Sequence, residues 1–301
     1  MTYSHDRVEN NDMIGSSVII PTYNRPLQLD GCLASLARLN FPKDRYEVVV
    51  VDDGSASSME TVVEPYRQIM NMMLLVQENS GSAVARNNGV AHSRGRFIAF
   101  MDDDCKPDRD WLTKLSERFL EDPRRMYGGK VFNALDNNIY SAASQLLIDY
   151  LYAYYNSDLE RARFFTSNNM AMARDIFDAV GGFDTNFPRV FGEDRELCDR
   201  WLNFGYGLSY VPQAVVCHYH ELNFWTYCRQ HFCYGGGAVR FHQGRSKRKQ
   251  ERFRFEPLAF YLELIISAWK MKRPHPLSLT VLLVISQVVN AVGFVFTKIR
   301  S

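Results

Sequence analysis

Apolar runs alternate with helical periods along most of the chain. Ser17-Val18-Ile19-Ile20 and Tyr46-Glu47-Val48-Val49-Val50-Val51 are near-continuous β-branched runs, the pattern of parallel strands covered on both faces. Each leads into a turn signal and then a helical period, Leu29 to Leu39 after the first and Met59 to Met70 after the second. A short strand from Leu74 to Val76, a helix from Gly81 to His92 and an apolar strand from Phe97 to Met101 continue the alternation. Further on, Glu193 to Phe204 reads as a helix whose apolar face holds Leu197, Trp201 and Leu202, and Val211 to His220 reads as a strand. Strand and helix in alternation predict right-handed βαβ units, so the fold class is α/β: a Rossmann-like, mostly parallel sheet flanked by helices.

The C-terminal pattern is different. Leu258 to Trp269, interrupted by Glu263, is too short to span a bilayer, whereas Leu277 to Phe296 is a run of 20 uncharged positions that could just do so. Lys270, Lys272 and Arg273 precede that run, and Lys298 and Arg300 follow it. Thr280, Ser286, Gln287 and Asn290 gather on one side of its helical wheel, as in a helix lying in an interface or packed on another helix. The two readings are attachment to the cytoplasmic leaflet and a buried helical pair in a homodimer. The expected organisation is a polar tail (1–15), a catalytic domain (16–235), a basic lid or linker (236–256) and an apolar helical extension (257–301). In the linker Arg240, Arg245, Lys247, Arg248, Lys249, Arg252 and Arg254 face one acid, Glu251, with Gly235-Gly236-Gly237 ahead of them as a hinge. A lid over a diphosphate, a patch for anionic lipid and a solvated loop all fit that charge run.

Three strands end in polar clusters, which turns a sheet into a candidate site. The first runs into Pro21-Thr22-Tyr23-Asn24-Arg25, the second into Asp52-Asp53-Gly54-Ser55 and the fourth into Asp102-Asp103-Asp104. A buried strand has no use for three adjacent carboxylates, but the carboxyl edge of an open α/β sheet is where ligands bind. Acids there suit Mg²⁺ or Mn²⁺, the usual companions of a diphosphate. Arg86, one to two turns into its helix, is suited to a pyrophosphate or to a carboxylate. The surroundings of Arg86 are not the GxGxxG dinucleotide fingerprint.

Composition narrows the classes. At 301 residues and 46% hydrophobic the chain can bury a substantial core. Thirty-five basic against 34 acidic residues give no global reason to expect nucleic acid. The polar N-terminus lacks a signal-peptide core, so the expected location is cytoplasmic, at the inner face of the cell membrane. Six cysteines without a CxxC pair fit reduced thiols. His218 and His220 lie two apart on one face of a strand end; zinc with Cys217, Cys228 or Cys233 fits no tetrahedral spacing.

Six segments in order (Pro21-Thr22-Tyr23-Asn24-Arg25, Asp52-Asp53-Gly54-Ser55, Ala85-Arg86-Asn87-Asn88-Gly89, Asp102-Asp103-Asp104, Gly181-Gly182-Phe183-Asp184 and Gly192-Glu193-Asp194) resemble the family 2 inverting glycosyltransferases of the GT-A fold, over residues 16 to 235. The resemblance implies a metal-dependent transfer of a sugar from a nucleotide-diphosphate donor to a glycan or lipid-linked acceptor. UDP is the first-choice nucleotide, with GDP or dTDP as alternatives. It assigns the donor nucleotide to Pro21, Thr22, Tyr23, Arg25, Asp53, Arg86, Asp102 and Asp103. Asp104, joined by His218, would ligate Mn²⁺ or Mg²⁺. Asp194 would be the base, with Glu193 positioning it. Asn168, Asn169 and Trp201 would contact sugar or acceptor. A nucleotidyltransferase and a non-catalytic nucleotide-sugar scaffold are the competing classes; the first lacks its glycine-rich, lysine-bearing loop at the first strand.

Overall fold

A computed structural model describes residues 15–187, 191–250 and 256–300. Residues 1–14 of the expected polar tail and 251–255 of the basic segment, with Arg252 and Arg254, lie outside the described residues.

The expected alternation is present. In chain order the first half holds β1 (Ser16–Thr22), α1 (Pro26–Leu36), β2 (Tyr46–Asp52), α2 (Glu60–Arg67), β3 (Asn71–Val76), α3 (Ser82–His92), β4 (Phe97–Phe100), β5 (Cys105–Pro107) and α4 (Trp111–Glu121). There follow β6 (Met126–Asn133), α5 (Ile139–Tyr155), β7 (Met170–Ala173), α6 (Arg174–Val180), α7 (Glu193–Asn203) and β8 (Leu208–His218). Three helices close the chain: α8 (Phe224–Lys247), α9 (Leu258–Lys270) and α10 (Pro276–Arg300). The strands form one sheet in the order β3-β2-β1-β4-β7-β6-β8-β5.

The sheet is mostly parallel, as expected, with two strands reversed. β3, β2, β1 and β4 run parallel, as do β6 and β8, but β7 is antiparallel to both its neighbours and β5 is antiparallel to β8. The parallel half gathers the site. Thr22 pairs with Asp52, and Asp52 with Val76, so the segments that follow these strands leave from a common edge. Successive residues point to opposite faces. Val18, Ile20, Val48 and Val50 pack under α1, α2 and α4, while Ile19, Val49, Val51 and Phe100 pack under α3, α6 and α7. Both faces are therefore dry, which is why these strands read as unbroken apolar runs.

A third core joins α5, α8, α9 and α10 through Leu146, Tyr227, Phe260, Leu264, Leu279 and Leu283. Here the structure corrects the expected hinge and lid. Gly235-Gly236-Gly237 lie inside α8, which runs unbroken from a capping box at Asn223 and Thr226 to Lys247. A methyl group on Gly235 would sit 2.0 Å from the Asn290 carbonyl, one on Gly293 2.1 Å from that of Phe232, and one on Gly237 1.6 Å from that of Phe191. The glycines serve close approach rather than bending. Arg245 and Arg248, expected in a mobile lid, pair instead with Asp199 and Glu196 of α7. His231 is fully buried with its ring 4.4 Å from that of Tyr227, and burial lowers its pKa to about 4, so it is a neutral core residue.

Gly235→Ala forces this helix pair apart, with an expected cost of about 1–3 kcal/mol. Urea denaturation measures it; a loss below about 0.5 kcal/mol, the range of neutral surface changes, would restore the hinge reading.

Candidate active site

The three carboxylates form the turn between two strands of opposite sense. β4 stops at Phe100, the Cys105 amide donates to the Asp102 carbonyl at 3.1 Å, and β5 begins at once. β5 pairs Cys105 with His218 of β8, and the Tyr219 amide donates to the Asp104 carbonyl at 2.8 Å. Backbone pairing therefore delivers both histidines of β8's end to the acidic turn.

On the β1 side, Thr22 Oγ1 donates to Asp103 at 2.8 Å. Arg25 Nη1 donates to Asp103 at 2.9 Å and to Asp104 at 3.0 Å. Burial pushes the Asp103 carboxyl up to about 6 despite the opposing charge of Arg25. Tyr23 is half exposed beside this cluster, and Pro21 is the one partly exposed residue of β1, ahead of buried Thr22. Asp53 is nearly fully buried and accepts from Gln77 Nε2 at 2.7 Å and from the amides of Ser80 and Gly81 at 2.9 and 2.8 Å. It thus fixes the loop that opens α3.

Of the two roles expected for Arg86, the contact with carboxylates is the one the structure displays. Its guanidinium is buried and bridges two acids, at 2.7 Å to Asp102 and 3.0 Å to Glu193. Its Nε has no hydrogen-bond partner among the described residues. A buried cation needs such compensation, so Arg86 holds the β4 turn to the start of α7. Ser82 Oγ adds a bond to Glu193 at 3.2 Å. Gly192, with φ of +117°, makes the left-handed turn into α7, a conformation that favours glycine. Asp194 follows, half-buried, accepting from the Arg195 amide at 2.7 Å and from the backbone of Ser167. Burial, reinforced by the charge of Glu193, pushes the Asp194 carboxyl up to about 7.

Asp104 and His218 fit a divalent cation. Asp104 Oδ1 lies 3.1 Å from His218 Nε2, close to the separation of about 3 Å between neighbouring ligands of an octahedral ion bound at about 2.1 Å. Burial alone would raise the Asp104 pKa, but hydrogen bonds from His218 and His220 and the charge of Arg25 hold it well below the ordinary range. Cys105 completes a geometric triad with this pair. Burial drives its thiol pKa well up, and a protonated thiol is a poor ligand for a hard ion. No group of metal donors involving Cys217, Cys228 or Cys233 occurs among the described residues.

Two residues lie outside the crevice. Trp201 is wholly buried among the apolar residues under α7, so it cannot reach an acceptor; position i+7 from Asp194 faces the core. Asn169 is wholly buried too, accepting from Trp111 Nε1 and donating to the carbonyls of Lys130 and Ala214. Asn168, also buried, accepts from Thr166 Oγ1 beside the Ser167 amide that serves Asp194.

Sequence reasoning missed a polar chain on α8. His220 lies 3.5 Å from Asp104 through Nδ1 and 3.2 Å from Gln230 Oε1 through Nε2. Gln230 Nε2 donates at 2.7 Å to the hydroxyl of Tyr234. Burial raises the Tyr234 pKa, and the charges of Asp194, Glu193 and Asp102 add to it. The chain therefore runs from the histidine end of the site toward Glu193 and Asp194. The available signal was the i, i+4 spacing of Gln230 and Tyr234 on one helix face.

Comparison with known proteins covers the first four of the six segments in its family match. The model of glycosyl transferase family 2 matches residues 17–181. The glycosyltransferase AglE of Haloferax volcanii is 28% identical over 204 residues, covering 67% of this chain and 66% of AglE. The chondroitin synthase of Pasteurella multocida is 29% identical over 233 residues, covering 66% of this chain and 23% of the synthase. The matched region thus falls short of two thirds of either relative's length. The mannosyltransferase PcManGT of Pyrobaculum calidifontis, solved with GDP-Man and Mn²⁺, superposes with a TM-score of 0.67 at 18% identity, covering 94% of this chain and 87% of that one. That likeness establishes the GT-A fold.

Arg86→Ala leaves Glu193 buried without its cation, and the expected cost is about 3–5 kcal/mol. Adding Glu193→Gln to that variant should recover part of the loss. Urea unfolding of both variants checks this; a single-variant loss below about 1 kcal/mol would remove Arg86 as the tie.

Proposed function

The chain belongs to glycosyl transferase family 2, and from that premise we propose that it transfers a sugar from a nucleoside-diphosphate sugar to an acceptor hydroxyl with inversion at the anomeric carbon. The observation that carries this reading is one half-buried carboxylate, Asp194, with a pKa near neutrality, next in sequence to Glu193, which buried Arg86 ties to Asp102 in the turn that also carries the Asp104–His218 pair.

In this reading the nucleoside lies over the edge of β1 and β2, between Thr22, Tyr23 and Asp53, with Arg25, Asp102 and Asp103 lining the way to the diphosphate. Asp104 and His218 would hold Mn²⁺ or Mg²⁺, which supplies positive charge to a departing diphosphate. The anomeric carbon sits between that end and Asp194, with Asn168 beside the sugar. The acceptor O–H gives its proton to the Asp194 carboxylate as its oxygen bonds to the anomeric carbon. The bond from that carbon to the diphosphate oxygen breaks, and nucleoside diphosphate leaves with the electron pair. Arg86 acts through Glu193 and Asp102, holding the two acidic segments at a fixed separation.

The acceptor enters from the β6–α5 side. A cavity of about 630 Å³ there is lined by Leu135, Asn138, Ile139, Tyr140, Glu221 and Leu222. It opens beside the histidines, since the Ala134 amide donates to the His218 carbonyl. Its lining sets Leu135, Ile139, Tyr140 and Leu222 beside Asp136, Asn137, Asn138, Glu221 and Asn223, a mix of apolar and hydrogen-bonding surface that suits a glycan attached to lipid, and we place the enzyme at the cytoplasmic face of a membrane. UDP leads the candidate nucleotides; PcManGT was solved with GDP-Man and TarS of Staphylococcus aureus with UDP.

Release of nucleoside diphosphate from UDP- and GDP-sugars with Mn²⁺ tests the activity, and no release from any sugar nucleotide would end the proposal. Asp194→Asn should lower kcat by about 100- to 10,000-fold while leaving donor binding nearly intact; equal loss of both would remove Asp194 as the base. Because Asp194 accepts a proton only when ionised, kcat/KM should rise through about pH 7 and flatten above it. Asp104→Ala should abolish the Mn²⁺-dependent part of nucleotide affinity in calorimetry; unchanged affinity would exclude it as a ligand.

A further inference from the structure

The C-terminal helices leave a long apolar row without a partner. On α10, Leu277, Val281, Val284, Val288, Val292, Val295 and Ile299 recur every three or four residues and are between 41% and 80% exposed. The row is roughly 33 Å long at about 1.5 Å per residue. On α9, Leu258, Leu262, Ile266 and Trp269 form a second exposed row, and α9 is fastened to α10 by the bond from Trp269 Nε1 to Thr280 at 3.1 Å. An apolar surface of this extent needs cover.

By length and composition α10 is able to cross a membrane, but its neighbour argues otherwise. α10 runs parallel to α8 along nearly its whole length. Tyr227 donates to the Leu282 carbonyl, Gly235 abuts Asn290 and Phe294, and Arg300 shares a cavity with Lys247. α8 carries Arg229, Gln230, Arg240, Arg245, Lys247 and Arg248. Drawing the pair through hydrocarbon would take several charges with it, at about 2.5–3.5 kcal/mol each on insertion scales. A helix with one apolar and one occupied face lies in the membrane plane instead.

The charges tell which membrane. Phe232 of α8 and Phe296 of α10 meet with ring centroids 5.5 Å apart, so the exposed edge of α8 adjoins the apolar row. On that edge the cavity between the two helices, about 630 Å³, is lined by Arg240, Gln243, Ser246, Lys247 and Arg300. Among the described residues, three cations and no acid line it. Arg229 and Trp225, which is 77% exposed, lie on the same side of α8 by helical spacing.

We propose that α9, α10 and the outer edge of α8 form an in-plane docking surface for an anionic phospholipid bilayer. The cavity of Arg240, Lys247 and Arg300 takes a lipid headgroup phosphate, and the valine row enters the acyl boundary. This deepens the membrane-side placement proposed above and is independent of the sugar chemistry. The surface sits next to the reaction: Gly237, one turn before Arg240, packs on the Phe191 carbonyl just ahead of Glu193 and Asp194. A lipid-borne acceptor would therefore meet the base without leaving the surface.

Flotation of the full chain with vesicles tests the proposal, comparing phosphatidylcholine alone with phosphatidylcholine containing phosphatidylglycerol. The wild type should float with the anionic vesicles, be released by 1 M salt or carbonate, and bind the neutral ones far more weakly. Arg240→Gln with Lys247→Gln should weaken binding to anionic vesicles about 25-fold, from a factor of about five per cationic side chain, with nucleotide-induced thermal shifts unchanged. Val288→Asp with Val292→Asp should abolish flotation on either composition. Equal binding to both vesicle types, resistance to carbonate, or a lipid-indifferent dimer by light scattering would each overturn it. Donor turnover is read separately, so failure of vesicle binding and failure of the transferase reading are distinguishable.

Discussion

One buried guanidinium joins the two ends of the crevice. The β4 turn and the start of α7 are 91 positions apart between Asp102 and Glu193, and Arg86 of α3 holds both at hydrogen-bonding distance. Its burial makes the tie stringent, because a cation without water must keep its anions. Asp194 inherits its place from the neighbouring Glu193, and Asp102 fixes the turn from which Asp104 projects. The crevice is therefore set by electrostatics inside the core rather than by loops on its rim.

The C-terminal helices belong to the same construction. α8 touches the histidine end through Gln230, the turn into α7 through Gly237 against Phe191, and α7 itself through Arg245 and Arg248. Glu196, buried and flanked by Arg200 and Arg248, is the counterpart on α7. A helix with so many obligations on one side has little freedom on the others, which accounts for its packing against α10 at glycine distance.

The parallel half of the fold was legible because both faces of its strands are dry, so hydrophobic runs and their polar ends stand out in one dimension. β3 and β8 were found with shifted starts, since edge and late strands carry mixed composition. The antiparallel β7 left no comparable signature: Met170-Ala171-Met172-Ala173 is too short and too plain to announce its direction. At the site the acids were legible from strand ends, but their partners were not. Arg86 reads equally well as a ligand arginine or a buried tie, and only the position of Glu193 decides. Trp201 and Asn169 have the chemistry of sugar contacts and the burial of core residues. The glycine triplet misled for a physical reason, since glycine marks both flexible chain and the closest helix contacts.

The parallel pairing of α8 and α10 has a practical corollary for anyone handling the protein. Cutting the chain after α8 to gain solubility would strip the groove that Gly235 and its neighbours present to Asn290 and Phe294, baring backbone near the turn into α7. Polar replacements along the outward valines leave that groove filled. Surface redesign, not truncation, is the route to a well-behaved preparation.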